Sequence, residues 1–77
     1  MWIISQNQFN TLINASTIKL ESTANRYLVT PVVNIVADNQ IIAEYDTLEE
    51  AQRVLVYIAE LIRGDYKVIG VPEKGVI

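Results

Sequence analysis

The sequence predicts an α+β fold: an antiparallel sheet of four to five strands, one long helix over residues 48–63 packed across a face, and a short last strand. Three observations predict it. Residues 27–37 and 40–45 are dense in Val, Ile and Tyr, a strand composition. Residues 47–64 carry helix start and stop signals around an apolar stripe. A further apolar run, Tyr66 to Val71, follows the helix, which gives a strands–helix–strand order within one domain spanning residues 1–77.

Trp2-Ile3-Ile4-Ser5 is apolar and strand-favouring, so a first strand is expected over 2–5 with Trp2 as a core anchor. Gln6-Asn7-Gln8 and Asn10 supply turn chemistry around Phe9. From Leu12 to Leu20 the apolar residues fall at 12, 13, 15, 18 and 20, and a two-residue period slips near Asn14-Ala15-Ser16. A one-residue slip swaps the faces of a strand, so the expectation is one strand across 12–20 carrying a bulge, or else two short strands. Ser22-Thr23-Ala24-Asn25 reads as a loop.

Between residues 27–37 and 40–45 stands Asp38-Asn39, two residue types that tolerate the left-handed backbone of a two-residue hairpin turn. Pro31 has no N–H for a ladder, so regular pairing is expected to begin near Val32. Thr47 and Glu50 have capping-box spacing, in which the Thr47 hydroxyl accepts from Glu50 N–H and the Glu50 carboxylate reaches back to Thr47 N–H. Glu49 and Glu50 complement the dipole at the helix start, and Arg63 complements it at the end. Gly64 is expected to be the left-handed residue that stops the helix. The last strand, 66–71, ends at Pro72, and the tail that follows has no pattern that decides between docking and fraying.

On the helix, Leu48, Ala51, Leu55, Ile58, Ala59 and Ile62 form one stripe, which Val54, Tyr57 and Leu61 widen; Val56 lies among the polar residues. That arc exceeds the roughly 100° one core contact requires. A second body is therefore expected to cover Val54, Val56, Tyr57 and Leu61. A domain this small buries only about 60% of the surface of its unfolded chain and commonly relies on bridges, a metal or self-association. The chain has no Cys and no His, so disulfides, zinc sites and imidazole catalysis drop out and a homo-oligomer is the expectation.

Charge and motif narrow the function classes further. Net charge is −3 and uneven: residues 1–37 hold Lys19, Arg26 and Glu21, net +1, while residues 38–77 hold the other eight acids and four bases, net −4. Six dispersed cations supply little of the phosphate neutralisation on which nucleic-acid binding depends. No apolar run approaches the roughly 20 residues of a membrane span, and the opening apolar residues give way at once to polar ones, so a cytoplasmic location is expected. No phosphate loop, catalytic triad or metal motif is present, and neither an enzyme nor a cofactor is expected. The acids Glu44 and Asp46, on one strand face, read as a solvated strand end beside a helix start. Arg26-Tyr27 is a candidate for stacking on and pairing with a nucleotide.

Met1-Trp2-Ile3, Ser5-Gln6, Ile13-Asn14, and then Tyr45, Thr47, Glu49, Ala51, Val54, Leu55 and Ile58 together resemble a group of small proteins of Gram-positive bacteria and their phages. Those open with Met-Trp-Ile and a Gln-containing turn and carry Y-x-T-x-E-x-A-x-x-V-L-x-x-I near the end. The resemblance implies a phage or prophage origin rather than a reaction, and relatives of this kind carry charge where Val56, Tyr57 and Ala59 stand here. Two functions are expected to compete. One is a phage-type interaction protein that occupies a host protein, such as a defence or transcription component, as a homo-oligomer. The other is a small-ligand protein, holding for instance a nucleotide signal in a pocket between subunits.

Overall fold

The computed structural model describes residues 1–23 and 32–76. The α+β class holds, with one helix packed on strands and a short strand after it, but the strands form two three-stranded sheets rather than one of four to five. β1 (Trp2–Ile4), β2 (Leu12–Asn14) and β6 (Val68–Gly70) make the first, in the order β2-β1-β6. β3 (Ile18–Thr23), β4 (Val32–Ala37) and β5 (Gln40–Tyr45) make the second, in the order β3-β4-β5. α1 (Leu48–Arg63) lies across all three strands of the second sheet.

The slip near Asn14-Ala15-Ser16 is the corner between the sheets, so of the two expected forms it is the two short strands, and not one strand with a bulge, that occur. Asp38 holds that corner: its carboxylate accepts from Ser16 N–H at 3.1 Å and Thr17 N–H at 2.9 Å, while its own N–H donates to Thr17 O at 3.0 Å. The same residue starts the hairpin turn. Asp38 and Asn39 have φ of 46° and 70°, the left-handed pair the turn requires. The bulge that does occur lies in the β4–β5 ladder, where Ile35 pairs Ala43 and Val36 pairs Ile41, leaving Ile42 as the extra residue, fully buried.

β6 pairs β1 in parallel, a non-local contact that breaks the expected all-antiparallel arrangement. It begins at Val68 rather than Tyr66 because the helix ends in a wider motif than a glycine stop. Gly64 has φ −78° and is not left-handed; Asp65 is, at φ 61°. Asp65 N–H reaches Ile62 O at 3.0 Å and Tyr66 N–H reaches Leu61 O at 3.2 Å, the two bonds of a Schellman close. Glycine at 64 serves proximity instead. A Cβ there would come within 3.1 Å of the Tyr66 ring.

Both sheets and the helix share one core: Ile3 and Ile69 from the first sheet, Ile35 and Tyr45 from the second, Val54 and Ile58 from the helix. The helix starts as expected, with Glu50 N–H donating to the Thr47 hydroxyl at 3.1 Å. The reciprocal half of the capping box is not made, because the Glu50 carboxylate accepts from Gly75 N–H at 2.7 Å. The tail is docked through that bond and three more contacts. Asn7 N–H donates to Glu73 Oε1 at 2.8 Å, and Lys74 Nζ lies 3.2 Å from both Glu44 and Asp46.

Candidate functional site: the outer face of the first sheet

Strand alternation sends Ile3 into the core, where it is fully buried, and turns Trp2 and Ile4 outward. Register completes the outer face: Trp2 stands between Asn14 and Val68, and Ile4 between Leu12 and Gly70. Trp2 is 46% exposed and Leu12 62%, with Ile4 and Val68 about half exposed. No strand position on this face carries a charge. An antiparallel sheet with one wet face normally turns polar residues outward. The second sheet does so at its β3 edge strand, where Lys19 and Glu21 are exposed and 3.8 Å apart as an ion pair, although Ile41 of β5 is half exposed on the same face. The first does not.

At the β1 end of this face the helix stop and the N-terminus frame a depression of about 460 Å³. Trp2, Tyr66 and Ile62 supply apolar wall, with Asn14, Asp65 and Lys67 between them. Local bonds explain the placement. Trp2 N–H donates to Lys67 O at 3.3 Å, and the N-terminal ammonium donates to Asn14 Oδ1 at 3.0 Å and Ala15 O at 3.1 Å. The Schellman close turns Tyr66 back over Gly64, where it remains 60% exposed.

Comparisons with protein-family models, curated proteins and solved structures find no match. The site therefore rests on its own geometry.

The residues expected to form an interface separate. Val54 is fully buried in the core and cannot meet a partner; Leu61 is half-buried against the same cluster. Val56 and Tyr57 remain open, Val56 in a shallow groove with Glu49, Gln52 and Arg53. The reason is rotation. The buried line runs Ala51, Val54, Ile58, turned by roughly 60° at 100° per residue from the expected stripe. Small side chains at 51 and 54 let the helix settle closely on the sheet, which leaves Leu48 and Ile62 half exposed instead. Trp2 is likewise not the core anchor; Ile3 is. Three consecutive apolar residues hide which one faces inward, so strand composition alone carried no signal for the outer face. Arg26 and Tyr27 lie outside the described residues.

The acidic pair is committed to structure. Lys74 bridges Glu44 and Asp46, and those two hydrogen bonds, first Asp46 and then Glu44, raise its pKa. Among the described residues no cluster of acids has the arrangement of a metal site, and no helix is long and apolar enough to cross a membrane. Gln6 is a buried polar side chain, 1% exposed, whose amide donates to Pro72 O at 2.9 Å and accepts from Glu44 N–H at 2.8 Å. Among the described residues every buried side-chain nitrogen and oxygen has a partner. The Gln6 network joins the two sheets to the tail.

Proposed function

We propose that this chain is a non-enzymatic interaction protein of phage or prophage type, which works in the cytoplasm by holding a host protein and associates with itself. The observation that supports the reading is the contiguous, charge-free apolar face of the first sheet. Single exposed apolar residues are ordinary on a monomer, but a contiguous patch marks a contact surface. The second half of the chain, net −4, suits a basic host surface that charge would steer and select. Affinity capture from lysate of a Gram-positive host tests it: one stoichiometric protein, released by salt, is the expected result. A folded bait that retains nothing stoichiometric sinks the host-protein reading.

A second reading draws on the depression beside Trp2. Its volume lies within the range of small-molecule sites, about 300–1,000 Å³, and two aromatic rings with Lys67 form a wall that a planar, anionic ligand such as a nucleotide would fit. Heating the purified protein and finding a released nucleotide in the supernatant would favour it.

A further inference from the structure

We infer that the outer face of the first sheet is a twofold self-association surface, on which two copies of this chain pack Trp2, Ile4, Leu12 and Val68 against the same residues. The inference rests on the interaction-protein reading and names the surface and occupant that reading leaves open.

Area supports a protein-sized contact. Those four side chains, with Tyr66 and Ile62 beside them, expose on the order of 600 Å², and a polar rim brings this near the ~800 Å² per partner of a standard interface. Charge selects the occupant. A chain of net charge −3 repels its own copy, most strongly through the acid-rich second half. The strand positions of the first sheet's outer face carry no acid, so this face meets itself without that cost. A basic host protein would be steered by charge toward the acidic second half of the chain instead. Symmetry fits as well. A twofold contact must be self-complementary, and the rim holds both signs, Lys67 and the N-terminal ammonium with Asp65, so that each copy's Lys67 can face the other's Asp65. Trp2 lies on the central strand, where a large aromatic anchor contributes most. A face this small gives association in the micromolar range rather than a permanent dimer.

Trp2 is the only tryptophan, so the unaltered chain reports on its own contact. Light scattering and tryptophan emission are followed together from low to high micromolar concentration. A dimer forming in step with a blue shift of Trp2 emission is the expected result. Leu12→Glu, at an open position of the folded monomer, should weaken association by about 30-fold or more, whereas Tyr57→Glu on the helix should change it less than about twofold. If Leu12→Glu does not fold, the emission of the unaltered chain decides alone. A dimer whose Trp2 emission stays constant, or one split by Tyr57→Glu and not by Leu12→Glu, overturns this surface while leaving an interaction protein in place. A strict monomer overturns it too, and lysate capture then judges the host-binding reading separately. A nucleotide retained in the depression that protects Trp2 in a monomer also overturns it.

Discussion

The side chain of Gln6 pairs with Glu44 as a peptide unit of a neighbouring strand would. Its Oε1 accepts from Glu44 N–H at 2.8 Å and its Nε2 lies 3.4 Å from Glu44 O, while Gln6 N–H donates to Ile42 O at 3.0 Å. The end of β1 thereby covers the edge of β5, and one side chain couples the two sheets.

Replacing Gln6 should therefore cost far more than a surface change. Gln6→Ala strands Glu44 N–H and loses the bond to Pro72 O, and should lower unfolding free energy by roughly 2–4 kcal/mol in urea titration. Gln6→Glu should be at least as harmful, because a buried carboxylate would face the carbonyls of Glu44 and Pro72. A loss below about 0.5 kcal/mol for both would mean that the network does not hold the sheets together.

Alkaline pH should weaken the fold through Tyr45. Burial pushes its hydroxyl pKa up to about 12, with the nearby charges of Glu50 and Glu73 adding to the rise and the Gln6 amide opposing it. The unfolded chain releases this proton near pH 10 and the folded chain only near 12, so stability is complete below pH 10 and falls as pH rises to 12. The loss should be on the order of 2–3 kcal/mol, and the raised Lys74 pKa acts in the same direction. Tyr45→Phe, which removes the 2.7 Å bond to Pro72 O, should cost about 1–2 kcal/mol at neutral pH and flatten the alkaline fall in chemical denaturation.

Asp38 serves both the turn and the corner. Asp38→Asn keeps left-handed tolerance and one acceptor oxygen, whereas Asp38→Ala loses both and should cost about 2 kcal/mol. Amide exchange at Ser16 and Thr17 should speed up in the Ala variant and much less in the Asn variant. Equal exchange in the two would remove the carboxylate from the account of the corner.

At the helix stop a glycine should help where none now stands. Asp65→Gly relieves a left-handed residue at φ 61° and should stabilise by about 0.5–1 kcal/mol in thermal unfolding. Gly64→Ala meets no backbone strain at φ −78° but presses on the Tyr66 ring, so its signature should be a shift in Tyr66 ring resonances.

How much of this was legible beforehand depended on distance along the chain. The α+β class, the helix Leu48–Arg63 with its Thr47 cap, and the Asp38-Asn39 turn were all readable, because caps and turns are decided by residues within four or five positions of one another. The helix stop was half readable: Gly64 marked its place, but the left-handed φ fell on Asp65. Only tertiary structure separated the strands into two sheets, brought β6 beside β1 and gave Glu50 to the tail rather than to its own cap. Each joins residues tens of positions apart, which no local pattern encodes. The face was decided there too. Trp2-Ile3-Ile4 offers three apolar side chains to two sides of a strand, and the core accepts the middle one because Ile69, arriving from the far end of the chain, is the neighbour it packs beside.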